Sequence, residues 1–92
     1  MPYAHSFDGT SLGYDVKGNA DGETVLLIAG NGCDHSIWDG VIDDFIAERR
    51  VIVYDHRGTG KSGSNFTDTW STRDFARDAS ELLREAGVLR AH

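Results

Sequence analysis

The stretch of sequence that decides the fold is Val51-Ile52-Val53-Tyr54-Asp55-His56-Arg57-Gly58-Thr59-Gly60-Lys61-Ser62, in which an apolar strand runs directly into a polar turn. Gly58 and Gly60 permit positive φ angles and a close approach of the backbone. Asp55 can accept hydrogen bonds from backbone N–H groups of the turn. Turns of this kind occur at phosphate sites and at the edges of active sites, so the stretch predicts that another group approaches the backbone closely here.

Composition restricts the class of protein. The chain of 92 residues is 39% hydrophobic and has a formal net charge of −6 at pH 7, which is typical of one globular domain over residues 1–92. A nucleic-acid partner is not expected, because no basic face is available to neutralise phosphates. No apolar run approaches membrane-spanning length, and no signal peptide is recognisable at the N-terminus. Cys33 is the single cysteine, so we expect no internal disulfide and a cytoplasmic location.

The hydrophobic pattern predicts the order strand, strand, strand, helix, strand, helix. Residues 3–7 and 12–16 alternate in polarity, as in an antiparallel hairpin. Residues 24–29 and 51–54 are continuous apolar runs, which predict central strands covered on both faces. A helix between them implies a right-handed parallel crossover. The predicted fold class is α/β: an N-terminal antiparallel hairpin plus parallel strands flanked by two helices.

Both helices have recognisable signals. The first is predicted from apolar residues at helical spacing: Ile37, Trp38, Val41, Ile42, Phe45 and Ile46. The second begins at Ser71, an N-cap with Asp74 three residues later, and ends at Gly87. Its charged residues are expected to form a solvated face: Arg73, Asp74, Arg77, Asp78, Glu81, Arg84 and Glu85. Residues 88–92 resemble the approach to another strand.

Residues 9–13 satisfy the G-x-S-x-G pattern of a nucleophile elbow, which would make Ser11 a nucleophile. An elbow requires an apolar strand before the serine and a helix after it. Here a polar, alternating strand precedes Ser11, and residues 14–16 continue as a strand. We therefore interpret the motif as an ordinary hairpin turn.

Two nucleotide-binding patterns overlap the turn after residue 54. Gly58, Gly60 and Gly63 have the spacing G-x-G-x-x-G, but residues 64–69 read as a loop where a dinucleotide site needs a helix. Residues 60–62 are Gly-Lys-Ser, the end of a Walker A loop, but its first glycine would fall on Asp55, whose carboxylate repels phosphate. A nucleotide-binding module through Gly58–Ser62 therefore ranks third among the hypotheses.

The loop Gly30-Asn31-Gly32-Cys33 follows the third predicted strand. Its backbone N–H groups could stabilise a developing oxyanion, since preorganised donors favour negative charge. It could equally be a glycine-rich turn before a helix, because glycine clusters mark loops in general. The residues of the loop alone leave both interpretations open.

Together, these features resemble the N-terminal part of an α/β-hydrolase. The order hairpin, strand, glycine-rich loop, helix with an internal Trp38, strand and D-x-R-G-x-G-x-S turn is typical of the opening of that family, and the resemblance covers nearly the whole chain. The matching turn residues are Asp55, Arg57, Gly58, Gly60 and Ser62. The pair Ala29-Gly30 replaces the usual His-Gly, a departure shared with enol-lactonase-like members.

The resemblance implies a serine hydrolase with a small ester or lactone substrate and no cofactor. It makes the backbone N–H of Asn31 an oxyanion donor, with Gly30 and Gly32 shaping the loop. The family's nucleophile, acid and base have no matching positions here, so we expect this chain alone to be inactive, as a partial domain that ends before the nucleophile elbow.

The remaining candidates are weaker. Cys33 and His35 lie close in sequence, but no orienting third group for a thiol nucleophile is evident. The histidines have no metal-ligand spacing, so no metal site is expected. His56 is expected to be solvated, and Asp55 and Arg57 are expected to hold the turn rather than to act as acid and base.

A hypothesis from a different class is a non-catalytic binding or assembly module. Without a fifth strand, the strand over residues 24–29 would leave an unpaired edge, and such an edge can pair with another chain. Self-association through this edge is the corresponding expectation.

Overall fold

The computed structural model describes residues 2–30, 33–63 and 71–92. The order of its elements follows the sequence pattern, with a difference in the first helix. In chain order the elements are β1 (Tyr3–His5), β2 (Ser11–Gly18), β3 (Thr24–Leu27), a 3₁₀ helix (His35–Trp38), α1 (Asp43–Ile46), β4 (Arg50–Tyr54) and α2 (Thr72–Glu85).

The four strands form one mixed sheet in the order β1-β2-β4-β3. β1 and β2 form the antiparallel hairpin, and β2 also pairs antiparallel with β4, which places Tyr14 opposite Tyr54. β3 runs parallel to β4, with Leu27 beside Val53. The predicted fold class, a hairpin joined to parallel strands and flanked by helices, is confirmed.

The sheet is covered on both faces at the position of β4. Ile52 and Tyr54 pack in one cluster with Leu82 of α2, whereas Val51 and Val53 pack in another that α1 covers. Because successive side chains of a strand point to opposite faces, a strand between two layers must be apolar throughout. Complete burial of each aliphatic side chain contributes about 1.5–3 kcal/mol.

The predicted first helix is wrong in its extent. Asp34 begins a 3₁₀ helix by accepting the N–H of Ser36 at 2.9 Å. Gly40 follows this segment, and glycine in a helix costs about 1 kcal/mol relative to alanine. A regular α-helix is therefore confined to α1, and Ile37 is 54% exposed although the pattern places it in the core.

α2 matches its predicted limits but not its predicted solvated face. The N–H of Ser71 donates to Asp74 Oδ2 at 2.9 Å, and Gly87 after the helix has φ 74°. Asp78, however, is completely buried. It lies three residues after Phe75 and four before Leu82, which places it on the apolar face. No helix among the described residues is long and apolar enough to cross a membrane.

The outer edge of β3 is partly paired, contrary to the expectation of an unpaired edge. The N–H of His92 donates to Thr24 O at 2.9 Å, and the N–H of Leu26 donates to His92 O at 2.8 Å. These two bonds have the pattern of a parallel bridge between His92 and Val25. Only His92 of the segment predicted to approach another strand bonds to β3, and no strand is assigned over residues 88–92. Self-association through this edge stays a prediction.

Candidate functional site

The carboxylate of Asp55 lies inside the turn after β4 and is fully buried. Its Oδ2 accepts the N–H of Lys61 at 2.8 Å, and its Oδ1 accepts the N–H of His35 at 2.6 Å. Oδ1 also lies 2.7 Å from His35 Nδ1, which carries the proton of this bond because a carboxylate can only accept. Asp55 therefore joins the turn after β4 to the loop after β3.

This geometry gives no support to the nucleotide-binding hypothesis. The amide of Lys61, a donor that a phosphate would need, is bonded to Asp55. Gly58 and Gly60 have φ of 75° and 53°, as the pattern predicts. A β-carbon on Gly60 would lie 2.4 Å from Asp55 Oδ2, so this glycine makes room for the carboxylate of the turn itself.

Ser62 and Gly63 tie the turn to the hairpin. The hydroxyl of Ser62 donates to Asp55 O at 2.6 Å and accepts the N–H of Gly13 at 2.9 Å. The N–H of Gly63 donates to Ser11 O at 2.8 Å. The turn is therefore fastened to β2 as well as to the loop after β3.

Arg57 is buried between two carboxylates. Its Nε and Nη2 donate to the two oxygens of Asp78 at 2.7 and 2.6 Å, and its Nη1 donates to Asp8 Oδ2 at 2.8 Å. The hydroxyl of Ser6 also donates to Asp78. These bonds, that to Asp78 first, raise the pKa of Arg57. The cluster joins the turn to α2 and the hairpin through bidentate, charge-assisted bonds.

Asp8 makes stability depend on pH below about pH 4. The side-chain hydrogen bond from Arg57 lowers the pKa of Asp8 from 3.8 to about 2. Because the folded pKa lies below the unfolded one, the stabilisation is complete above the unfolded pKa and is lost as the pH falls through the folded pKa. Allowing for partial exposure, we expect Asp8→Asn to lower the free energy of unfolding by about 1–2 kcal/mol at neutral pH.

Urea unfolding of wild type and Asp8→Asn at about pH 6 and about pH 2 measures this difference. The two proteins should differ at the higher pH and converge at the lower one. A difference that stays constant over this interval contradicts the assignment.

His56 is buried rather than solvated, which corrects the sequence-based expectation. Its Nε2 donates to Ala29 O at 2.9 Å. The ring packs edge-on against Tyr54 and Phe75, with centroids 5.3 and 4.9 Å away. Sequence reasoning missed this because Phe75 and Ala29 are distant in the chain, although the position two residues after a buried strand was a signal of burial.

The loop after β3 is described only at its ends. Asn31, the oxyanion candidate, and Gly32 lie outside the described residues. Before them, Ala29 O is bonded to His56; after them, the N–H of Cys33 donates to Gly30 O at 3.0 Å.

The structure brings together three side chains with ligand atoms that local spacing could not identify. One ligand atom from each of Asp34, His35 and Asp55 lies within 4.8 Å of the others. The side-chain and backbone hydrogen bonds from Ser36 lower the pKa of Asp34. A cation would have to replace the proton between His35 and Asp55, while the carboxylate of Asp34 accepts hydrogen bonds from Ser36.

Asp55 is the orienting partner of His35 that the sequence did not reveal. Cys33 is a half-buried free thiol, and within the described ranges no hydrogen bond joins it to His35. Residues 2–30, 33–63 and 71–92 thus contain a carboxylate–histidine pair with no nucleophile from these ranges bonded to it.

Ser11 opens β2 and pairs with His5 in the hairpin. The N–H of Gly9 donates to Ser6 O at 3.0 Å, and the N–H of Ser6 donates to Thr10 O at 2.9 Å, which closes the turn before it. A strand follows Ser11, so the G-x-S-x-G motif forms a hairpin turn as predicted.

No protein-family profile matches the chain. Individual proteins of known structure or description are nevertheless similar to it. The "Putative carbamate hydrolase RutD" of Azorhizobium caulinodans is 41% identical over 92 residues, covering 100% of this chain and 33% of that protein. A hydrolase from Pseudomonas aeruginosa superposes with a TM-score of 0.92 at 30% identity, over 99% of this chain and 34% of that one. The enol-lactonase from Burkholderia xenovorans LB400 gives a TM-score of 0.91 at 26% identity, over 99% and 35%. The chain thus spans about a third of the length of these proteins.

Proposed function

The chain belongs to the α/β-hydrolase family, and from this premise we propose that the whole protein hydrolyses a small ester or lactone. The observation that carries the proposal is the superposition of 99% of the chain on the enol-lactonase, with a TM-score of 0.91. Hydrolysis of an ester, a lactone or a carbamate passes through a tetrahedral intermediate with a developing oxyanion, so these substrates share one requirement.

In this proposal residues 1–92 border the active site. The backbone N–H of Asn31 is one oxyanion donor, supported by the position of its loop directly after β3. We assign the nucleophile, acid and base outside these residues, because Ser11 is in a hairpin and, among the described residues, no nucleophile is bonded to the carboxylate–histidine pair. The 92-residue chain by itself is then inactive.

The substrate is a small molecule in this proposal, and neither cofactor nor metal takes part. We also assign the protein to the cytoplasm, since its single cysteine is a free thiol suited to a reducing compartment.

The function is tested by measuring whether the protein as encoded, meaning the complete gene product rather than residues 1–92 alone, hydrolyses p-nitrophenyl acetate and a simple lactone. We expect turnover by wild type and an unchanged rate for Ser11→Ala, because Ser11 pairs with His5 and accepts from Gly63 through its backbone, which alanine keeps. The 92-residue chain should give no turnover above buffer. If Ser11→Ala loses hydrolysis while circular dichroism shows an intact fold, Ser11 in the hairpin motif is the nucleophile. If the protein as encoded hydrolyses neither substrate, the result counts against the ester or lactone assignment.

A further inference from the structure

Consecutive residues of the turn after β4 hold both ends of the loop after β3. His56 Nε2 donates to Ala29 O at 2.9 Å before the loop, and Asp55 Oδ1 accepts the N–H of His35 at 2.6 Å after it. β3 and β4 are parallel neighbours, so both segments leave the sheet at the same edge. We propose that His56 and Asp55 are positioning residues that fix the two ends of this loop.

The contribution of His56 goes beyond packing. Its ring contacts with Tyr54 and Phe75 are ones that a phenylalanine could make. Its Nδ1 is buried and has no hydrogen-bond partner within the part of the chain that the structure describes. A buried unpaired nitrogen is unfavourable, so a histidine at this position is explained by the hydrogen bond that its ring donates to Ala29 O, the one that the ring makes to the described residues.

Asp55 completes the arrangement from the other side. Its Oδ1 holds both the backbone N–H and the ring of His35, while its Oδ2 holds Lys61 in the turn. The carboxylate is fully buried, so these bonds are shielded from competition with water. The two ends of the loop are therefore bonded to consecutive residues of one turn.

The consequence for catalysis rests on the proposed function. An oxyanion donor acts only when it is placed accurately against the charge that develops in the transition state. Ala29 and His35 lie on either side, in the sequence, of the proposed donor Asn31, so the two hydrogen bonds fix the described ends of the segment that contains it. Because a misplaced donor weakens binding of the transition state rather than of the substrate, loosening the loop lowers kcat and leaves KM nearly unchanged.

Two substitutions of His56 separate hydrogen bonding from packing in the protein as encoded. His56→Phe keeps an aromatic ring and removes the donor, whereas His56→Gln keeps an N–H donor of similar reach and removes the ring. The amide of Cys33, which bonds to Gly30 O, reports on the loop by hydrogen exchange. We expect exchange about fivefold to tenfold faster in His56→Phe and within about twofold of wild type in His56→Gln.

Amides of the β2–β4 ladder are the internal control, and their exchange should not change. Equal acceleration in both variants, or acceleration in His56→Gln alone, overturns the proposal in favour of packing. The wild-type ring gives an independent reading: ¹⁵N shifts should show a proton on Nε2 of His56, and an unprotonated Nε2 overturns the proposal even if neither variant folds.

A kinetic measurement tests the catalytic part. His56→Phe should lower kcat for ester hydrolysis about tenfold with KM within about twofold, and His56→Gln should restore most of kcat. Faster exchange with unchanged kcat overturns the link to catalysis. If the exchange result is as expected but wild type hydrolyses no ester, the proposed function fails while the fixing of the loop stands.

Discussion

Arg57→Met is expected to lower the free energy of unfolding by about 3–5 kcal/mol, because it leaves the carboxylates of Asp78 and Asp8 without their cation. Asp78 is completely buried, and the Arg57 side chain is only 1% exposed. Two like charges then remain next to the position that the guanidinium held, and the charge of Asp78 is out of contact with water. Since domains of this size are stable by only about 5–15 kcal/mol, the loss is a large share of the total.

Arg84→Met is the matched control for this substitution. Arg84 is also an arginine next to an acid, but its side chain is 76% exposed and lies 3.7 Å from Glu81. Exposed pairs contribute about 0–1 kcal/mol, so this variant should unfold nearly at the wild-type urea midpoint. Equal midpoints for the two variants would show that the buried cluster does not hold the turn.

Gly60→Ala should destabilise the protein by about 3 kcal/mol or more, through two separate effects. The residue has φ 53°, a region that alanine rarely adopts. A β-carbon would also lie 2.4 Å from Asp55 Oδ2 and 2.6 Å from Asp55 Cγ. The carboxylate cannot move away without giving up its bonds to Lys61 and His35.

Gly9→Ala separates the two effects. Gly9 has φ 87°, but a β-carbon there meets nothing within 4 Å. This variant should lose only the conformational contribution, about 1 kcal/mol. Thermal or urea unfolding of both variants measures the difference, and a Gly60→Ala loss no larger than that of Gly9→Ala contradicts the position assigned to the Asp55 carboxylate.

Sequence reasoning was sufficient where the signal was local. The continuous apolar run at residues 51–54 predicted a strand buried on both faces, and β4 lies between two core clusters. The Ser71 cap and Gly87 predicted the limits of α2. Gly58, Gly60 and Asp55 indicated the geometry of the turn after β4, because glycine φ angles and hydrogen bonds from an aspartate to nearby N–H groups are local to the turn.

The contacts that could not be predicted join residues distant in the chain. A charged residue on a helix is usually solvated, so only its spacing from Phe75 and Leu82 signalled that Asp78 is buried, and its partner Arg57 lies 21 positions away. The same holds for His56, whose carbonyl partner Ala29 lies 27 positions away. The metal-ligand spacing rules are local, and therefore they could not group His35 with Asp55.

We propose that residues 1–92 support and border an active site without supplying its nucleophile. Treating the protein as encoded with a fluorophosphonate, which labels activated serines, and locating the label by peptide mass spectrometry tests this directly. We expect that Ser11, like the other serines of residues 1–92, stays unlabelled. A covalent label on Ser11 that denaturation before treatment abolishes would contradict it.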